Sequence, residues 1–158
     1  MKNLIILGSG GHSKVIAEIA LENELIGEIA YLDDKFSKDF SQNDFLTNRI
    51  IGKIDEIYTN AIRDKYELGF VAIGDNKLRK SFFKKLIELG YSCPNFVHTK
   101  ACVSPSAIIK AGTAIFANAV IQSEVKIGMN YEEKEINNIL KEKFKTNFEN
   151  KNIVVYGG

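Results

Sequence analysis

Two short apolar runs flank a glycine-rich loop and a helical segment at the start of the chain. The first run, residues 3–7, ends at glycines, and the second, residues 29–32, ends at an acidic pair. Between them, apolar residues recur at helical spacing, at Val15, Ile16, Ile19 and Ala20. This order predicts a strand, a tight loop, a helix and a second parallel strand, which together form a βαβ unit.

A similar unit follows after a polar segment. Residues 35–48 have no apolar period and predict a long surface loop. An apolar run at 69–73 then meets a turn that begins at Gly74 and opens a helix. The predicted apolar stripe of this helix is Leu78, Phe82, Leu86 and Leu89. Residues 1–98 therefore predict a small, mostly parallel α/β sheet, whose strand ends converge where open sheets bind ligands.

Beyond residue 101 the hydrophobic period changes to six. Large aliphatic residues recur at Val103, Ile109, Ile115, Ile121 and Ile127. Small or β-branched residues lie four positions further on, at Ala107, Thr113, Ala119 and Val125. This pattern predicts the start of a parallel β-helix within residues 99–128. Amphipathic strands are the alternative, but their period of two fails at Ala111 and Gly112.

Residues 129–158 do not continue the six-residue repeat. Residues 131–148 predict a charged helix with one apolar side, and residues 152–156 predict a strand. This strand has the pattern of the first one, so it is either the start of another nucleotide-binding unit or an ordinary buried strand before glycine. We expect the helix to cover the end of the β-helix or an oligomer contact, through Ile139, Leu140 and Phe144.

Composition is that of an ordinary globular protein. The chain of 158 residues is 45% hydrophobic and 26% charged, which argues against disorder. Its 21 basic and 20 acidic residues leave a formal charge of +1, so nucleic acid and membrane surfaces are not expected partners. The first apolar run is too short for a signal peptide, and we predict a cytoplasmic protein. Cys93 and Cys102 lack metal-binding or redox spacing, so no metal site is expected.

The loop of residues 8–13 is the first candidate binding element. Backbone N–H groups at a junction of strand and helix can bind an anion such as phosphate, although a glycine turn of packing value is the alternative. Ser13 stands in place of the third glycine of the dinucleotide-binding fingerprint. His12 lies where the helix dipole disfavours a charged ring, so it is either a neutral ligand-binding imidazole or a simple helix-start residue.

Three further candidates lie at strand ends or between the two parts. Asp33 and Asp34 can bind hydroxyl groups of a sugar or ribose, or can form a solvated turn. The segment 74–77 opens a helix, and capping alone explains its Asp75 and Asn76. His98 precedes the repeat and is expected to be structural.

Four motifs in series resemble the bacterial sugar acyltransferase family that includes sialic acid O-acetyltransferases and N-acetyltransferases of UDP-4-amino sugars. They are GSGGHSKVIAEIA at 8–20, YLDD at 31–34, VAIGDNKLR at 71–79 and VHTKACVSPSA at 97–107. The six-residue repeats follow, and the match covers residues 2–128 in the family's order.

The resemblance implies both a fold and a site. A Rossmann-like domain at 1–98 would bind a UDP-sugar, and a left-handed β-helix would form trimers and bind acetyl-CoA between subunits. The positions that match substrate contacts are Gly10, Gly11, His12, Asp33, Asp34, Gly74 and Lys77. The expected fold class is α/β, a small Rossmann-like parallel sheet followed by a short, truncated left-handed β-helix at 99–128 and a C-terminal helix at 129–158.

The chain departs from the family in its histidines. In the family a β-helix histidine takes a proton from the sugar amine or hydroxyl. This chain has two histidines, His12 and His98, and neither lies within the repeat. We therefore predict no catalytic residue in this chain, no acetyl-CoA binding by it alone, and a homo-oligomer weaker than the family trimer. Such a chain is either a piece of a longer acetyltransferase or a natural fusion.

Two other functions stay open at this point. A non-catalytic sensor or targeting module would bind a UDP-sugar and position a fused partner. An NAD-type domain would use Asp33 for the ribose, although Ser13 weakens this interpretation. Neither the sugar nor the acylated atom follows from the sequence, because pocket shape decides both.

Overall fold

A four-stranded parallel sheet forms the first part of the protein. The computed structural model describes residues 1–36 and 49–127. The strands are β1 (Lys2–Leu7), β2 (Ile26–Leu32), β3 (Arg49–Gly52) and β4 (Leu68–Val71). Their order across the sheet is β3-β2-β1-β4, and all three pairings are parallel. The predicted parallel α/β arrangement is confirmed.

In the described residues, two helices and a 3₁₀ turn lie between these strands, and a third helix follows β4. They are α1 (Gly11–Leu21), the 3₁₀ turn (Ile54–Tyr58), α2 (Asn60–Lys65) and α3 (Asn76–Leu89). The predicted cap of α3 is confirmed, because the Asp75 carboxylate accepts a hydrogen bond of 2.8 Å from the Leu78 N–H. The same helix ends at Gly90, whose φ of 92° is the left-handed conformation that closes many helices.

The sheet buries both of its faces, which explains why its strands are continuous apolar runs. Alternate residues of β1 face opposite sides, so Leu4 and Ile6 lie in one core while Ile5 and Leu7 lie in the other. The first core contains the apolar face of α1, and the second contains residues of the 3₁₀ turn, α2 and α3. A strand buried on both faces needs no polar alternation.

The predicted apolar stripe of α3 is wrong at its first position. Leu78 is 52% exposed, whereas Phe83, which the stripe omitted, is only 7% exposed. Phe83 and Leu86 are the buried residues of α3, and Phe82 and Leu89 pack partly beside them. Leu78 lies in the first turn of the helix, which follows the carboxyl end of β4, and the buried part of the helix begins further along the chain.

The six-residue repeat forms three parallel ladders. Its strands are β5 (Phe96–Val97), β6 (Cys102–Val103), β7 (Ile108–Ile109), β8 (Ala114–Ile115), β9 (Val120–Ile121) and β10 (Lys126–Ile127). Strand β5 pairs with β8, β6 with β9, and β7 with β10, always in parallel. Each strand thus pairs with the strand three repeats further on, as in a three-sided coil of 18 residues. We call residues 96–127 the coil.

The corners of the coil repeat every six residues as well. Gly112, Asn118 and Glu124 have φ values of 72°, 62° and 62°. Asparagine adopts this left-handed conformation more readily than most residues, and glycine does so freely. At Gly112 the neighbours also require glycine, because a Cβ atom there would overlap the Phe83 ring. The period of two therefore fails at Ala111 and Gly112 because the chain turns there, against α3.

The interior of the coil consists of the repeated aliphatic residues. Ile115, Ile121 and Ile127 are buried, and Val103 and Ile109 pack partly buried against them. Of the smaller positions, Ala107, Ala119 and Val125 join this cluster. At Thr113 the hydroxyl donates a 2.6 Å hydrogen bond to the Lys110 carbonyl.

The sheet and the coil share contacts. Phe96 of β5 is buried in the first core, where its ring lies 5.3 Å from that of Phe70. Ala114 and Phe116 pack against the same core. The first ladder thus begins two residues before the predicted boundary at 98, and the domain boundaries stay a prediction.

Two predictions fall outside the described residues. They are the surface loop at 35–48, apart from its first two residues, and the tail at 129–158 with Ile139, Leu140 and Phe144. Within residues 1–36 and 49–127, no helix has the length and apolar character to cross a membrane.

Candidate functional site

All seven predicted site residues lie at one edge of the sheet. The carboxyl ends of neighbouring strands are joined by backbone hydrogen bonds, from Gly8 N to Leu32 O and from Ala72 N to Leu7 O, each 2.8 Å long. A bond of 3.0 Å from Asp33 N to Gly52 O adds the end of β3. The glycine loop, the acidic pair and the turn at Gly74 therefore follow adjacent strands, as the sequence predicts.

The glycine loop turns sharply at its first residue. Gly8 has a φ of 96°, and a Cβ atom there would lie 3.2 Å from the Ala72 carbonyl oxygen. Gly10 then caps α1 without a side chain, and its carbonyl accepts hydrogen bonds from the Ser13 hydroxyl and N–H. Ser13 is fully buried. A small residue with a satisfied hydroxyl thus occupies the position of the third fingerprint glycine, where α1 packs closely on the sheet.

Neither packing nor backbone strain requires glycine at three other positions. A Cβ atom on Gly10, Gly11 or Gly74 would meet nothing within 4 Å. None of the three has a positive φ, since the glycines that do are Gly8, Gly90 and Gly112. The fold tolerates side chains at these positions, yet the chain leaves the backbone bare. Bare backbone beside a helix N-terminus is suited to the close approach of a ligand.

The two predicted carboxylates differ in their surroundings. Oδ2 of Asp33 accepts hydrogen bonds from the Ser9 N–H and hydroxyl, both 2.7 Å long, and its Oδ1 accepts one of 2.9 Å from Lys35 N–H. Partial burial alone would raise the pKa of Asp33, but the bonds from Lys35 and Ser9, with the Lys35 charge, lower it below the ordinary value. Asp33 thus joins the glycine loop to the turn after β2.

Asp34 is the more exposed of the two carboxylates. It is exposed, and its Oδ1 accepts a long hydrogen bond of 3.4 Å from Ile54 N–H. The solvated-turn alternative therefore describes Asp34 better than Asp33, while both residues lie at the carboxyl edge of the sheet.

His12 lies in the first turn of α1 and contacts the coil. Its ring meets the Phe116 ring edge-on, with 5.1 Å between the centroids. Partial burial, followed by the positive charge of Arg79, lowers the pKa of His12. A lowered pKa favours the predicted neutral imidazole, with burial and Arg79 as its causes in place of the helix dipole on which the prediction relied, and the ligand-binding role of His12 stays a prediction.

Arg79, Ser9 and Phe116 belong to this edge and were not predicted as site residues. The Arg79 guanidinium donates to the Ile73 carbonyl at 3.0 Å, to the Gly74 carbonyl at 3.4 Å, and to the Asn76 side chain. Ser9 and Arg79 lie within quoted motifs, so their polar character was the available signal. Phe116 reaches His12 only through the fold, and nothing local in the sequence marks it.

Lys77 is the last predicted site residue, and His98 is the histidine that was predicted to be structural. Lys77 is exposed in the first turn of α3. His98 has structural contacts. Its ring Nδ1 accepts a 3.0 Å hydrogen bond from Lys100 N–H, and its backbone N–H donates a hydrogen bond to Ile115 O. Its Nε2 lies 3.8 Å from Glu22 Oε1 at the end of α1. The structural interpretation of His98 is confirmed.

The side chains that commonly bind metals form no cluster in the part of the chain that the structure describes. No group of three or more His, Cys, Asp or Glu side chains there is arranged to hold a metal ion. Both cysteines are free thiols, and burial raises the pKa of Cys93 to about 12.

Comparison with known proteins gives the family. Residues 3–86 match the PglD N-terminal domain family, which is more than half of the chain. A curated relative, UDP-N-acetylbacillosamine N-acetyltransferase of Bacillus subtilis (strain 168), is 33% identical over 122 residues. That alignment covers 74% of this chain and 52% of the relative.

Solved structures agree with this result. The acetyltransferase domain of PglB from Neisseria gonorrhoeae FA1090, in complex with acetyl coenzyme A, has a TM-score of 0.67 and 34% identity over 80% of this chain and 60% of that one. A mutant of perosamine N-acetyltransferase from Caulobacter crescentus, in complex with CoA and GDP-perosamine, has a TM-score of 0.67 and 30% identity over 81% and 58%.

The chain belongs to the PglD N-terminal domain family, and its relatives are nucleotide-sugar acetyltransferases. The resemblance to sugar acyltransferases is thereby confirmed. The chain spans about half the length of the curated relative that it matches. One relative is named for a UDP-sugar and another was solved with GDP-perosamine, so the nucleotide sugars of the relatives are not limited to UDP-sugars.

Proposed function

We propose that this chain binds a nucleotide sugar at the carboxyl edge of its sheet, as the substrate-binding part of an acetyl-CoA-dependent sugar N-acetyltransferase. The ligand would lie along the ends of β2, β1 and β4. Its contacts would come from the residues predicted from the sequence, which are Gly10, Gly11, His12, Asp33, Asp34, Gly74 and Lys77.

The observation that carries this proposal is the set of open glycines. Gly10, Gly11 and Gly74 have ordinary backbone conformations and open space where a Cβ would point. Packing and strain therefore leave these three glycines unexplained, whereas a ligand that touches the backbone explains all of them. Two of them also adjoin the first turn of α1, whose N–H groups lack intrahelical acceptors and favour a phosphate group.

The remaining residues take different roles in this proposal. Asp34 has the exposure to bind hydroxyl groups of the nucleoside or sugar, whereas Asp33 shapes the site by holding Ser9. Neutral His12 offers the ligand one N–H and one lone pair. Lys77 adds a positive charge near a diphosphate, and its exposure leaves it free to move toward one.

The acetyl-transfer step is assigned to the complete enzyme. His12 lies in α1 and His98 directly follows the first strand of the coil, where it contacts Lys100 and Glu22, so we assign no general base to this chain and no acetyl-CoA site to its residues alone. We propose that the coil is the start of a left-handed β-helix, supported by its three parallel ladders and by the relatives. A homo-oligomer would form through further coils of the same kind.

Calorimetric titration tests the binding proposal with a panel of ligands. The panel contains a UDP-4-amino sugar, GDP-perosamine, acetyl-CoA and NAD. We expect one nucleotide sugar to bind and to raise the melting temperature, adding about 2.7 kcal/mol at roughly 100 times its Kd. Acetyl-CoA and NAD should leave the melting temperature unchanged. Binding of NAD with no binding of either nucleotide sugar would contradict the proposal.

Two glycine variants locate the site. Gly74→Ala should keep the free energy of unfolding within about 0.5 kcal/mol of the wild-type value, because its Cβ meets open space, yet weaken nucleotide-sugar binding. Gly90→Ala is the matched control, because its φ of 92° strains alanine at a turn on the far end of α3. That control should lower the melting temperature and leave the affinity of the folded protein unchanged. If Gly74→Ala left the affinity unchanged and Gly90→Ala weakened it, the ligand would bind at another place.

A further inference from the structure

Arg79 gives the turn after β4 a definite shape. Residues 73 and 74 lie beyond the last strand pairing, and a glycine there has wide backbone freedom. The Arg79 guanidinium reaches back from the first turn of α3 to the carbonyl oxygens of both Ile73 and Gly74. The Asn76 side chain accepts from the other terminal nitrogen and so fixes the orientation of the guanidinium. Two contacts thus hold a segment that no ladder holds, and a third orients the group that makes them.

The orientation of these carbonyls determines where the neighbouring N–H groups point. In a trans peptide the C=O of one residue and the N–H of the next point in opposite directions, and the described residues contain no cis peptide bond. Holding the Ile73 and Gly74 carbonyls on the guanidinium therefore turns the N–H groups of Gly74 and Asp75 away from Arg79. Those groups are then available as donors to a ligand.

The same turn touches the glycine loop. A Cβ atom on Gly8 would lie 3.3 Å from Ile73 Cγ1, so the start of the loop rests on the residue whose carbonyl Arg79 holds. The Arg79 charge also acts on His12, whose pKa it lowers together with burial. Among the described residues, the His12 ring packs against Phe116, and Arg79 is the charged group that shifts its titration.

We propose that Arg79 is a positioning residue that holds the Gly74 turn against the glycine loop in the shape that accepts the nucleotide sugar. This inference rests on the proposed function, and it concerns the shape of the site and not the identity of the ligand. Its effect acts through the turn and through His12.

The test compares four variants of the whole chain at pH 8, where His12 is neutral. Arg79→Met removes the charge and the three contacts, and we expect at least about a tenfold loss of affinity for the nucleotide sugar, which corresponds to about 1.4 kcal/mol. Asn76→Ala, which removes one contact, should cause a smaller loss. Arg63→Met is the matched control, because Arg63 donates a 3.1 Å bond to the Leu89 carbonyl at the other end of α3. The control should bind as the wild-type protein does.

Arg79→Lys separates charge from geometry. A lysine keeps the positive charge but lacks the planar group that holds two carbonyls and an amide together. The NMR titration of the His12 ring should therefore stay close to the wild type in Arg79→Lys and move to higher pH in Arg79→Met. His98 is the second histidine and serves as the internal control in the same spectra. Both Arg79 variants should bind the nucleotide sugar more weakly than the wild-type protein does.

Each outcome decides something. If Arg79→Met binds within about twofold of the wild type, or loses no more than Arg63→Met, the positioning role is wrong. If Arg79→Lys restores the affinity fully, charge alone suffices and the geometric argument is wrong. If the wild-type protein binds no nucleotide sugar, the proposed function fails, whereas unchanged amide shifts at Gly74 in Arg79→Met would overturn the positioning role independently.

Discussion

The sheet and the coil are stabilised in different ways. Strand β1 has four consecutive residues, Leu4 to Leu7, that are completely buried between two separate cores. The strands of the coil are two residues long, and only half of their length can point inward. The coil interior contains three buried isoleucines, with partly buried alanines, valines and Ile109 packed against them. The sheet therefore has a core of its own, whereas the coil gains stability by stacking on neighbours.

This difference explains where the candidate site lies. Repeat structures gain stability from each interface between adjacent units, so a single coil has few such interfaces. Phe96, Ala114 and Phe116 give the coil a partner by packing on the first core of the sheet. The sheet, in contrast, is buried on both faces and carries the loops with bare backbone at its carboxyl edge. Phe116 links the two parts through its contact with His12.

Truncating one isoleucine in each part should expose this difference most clearly. Ile6→Ala removes a fully buried side chain from the sheet and should cost about 2 to 5 kcal/mol in the free energy of unfolding. Ile109→Ala removes a partly buried side chain from the coil and should cost about 1 kcal/mol. Urea unfolding of both variants measures the two values. Equal losses would show that the coil is as tightly packed as the sheet.

The second prediction concerns the junction between the coil and α3. Gly112→Ala should destabilise the protein by about 2 kcal/mol, because alanine disfavours a φ of 72° and its Cβ would overlap the Phe83 ring. Asn118→Ala has the same kind of conformation without that overlap and should cost about 1 kcal/mol. Thermal unfolding of the pair isolates the contribution of the overlap. A larger effect at Asn118 would contradict the role assigned to Phe83.

The sequence predicts elements wherever one local pattern decides them. The period of six and the cap at Asp75 depend on neighbours within a few residues, and both are confirmed. The stripe of α3 fails at Leu78 because burial depends on where the sheet ends, which spacing does not encode.

The candidate site likewise has features that a local pattern predicts and features that depend on the fold. Glycines and acids at strand ends are predictable, because parallel topology brings those ends together. The unequal roles of Asp33 and Asp34 are not, since they depend on which carboxylate reaches Ser9, 24 residues away in the chain. The contact between His12 and Phe116 is likewise a product of the packing of coil on sheet.

The third prediction compares the two carboxylates of the site. Asp33→Asn should cost about 1 kcal/mol at pH 7, after allowance for solvent screening, because it weakens the bonds from Ser9 and Lys35. Asp34→Asn should change stability by less than about 0.5 kcal/mol. Since the pKa of Asp33 is lowered in the folded protein, its contribution is complete above the unfolded pKa of about 4 and is lost as the pH falls below it. Urea unfolding at pH 7 and pH 3 should show the wild-type advantage over Asp33→Asn shrinking on acidification, and an advantage that grows at pH 3 would contradict this.

The last prediction uses the two thiols as reporters of the two parts. Cys102 is exposed on the coil, whereas Cys93 packs in the second core and its pKa is raised to about 12 by burial. A disulfide reagent should therefore modify Cys102 quickly in the native protein, and this modification should change the free energy of unfolding by less than about 0.5 kcal/mol. Because the Cys93 carbonyl accepts a 3.1 Å hydrogen bond from Gly112 N–H, its slow labelling reports the opening of the junction between α3 and the coil. Labelling of Cys93 should accelerate in Gly112→Ala, with Asn118→Ala as the control. If Cys93 instead reacts only at the rate of global unfolding in every variant, the coil and the sheet open together, and the contrast between a self-sufficient sheet and a dependent coil is wrong.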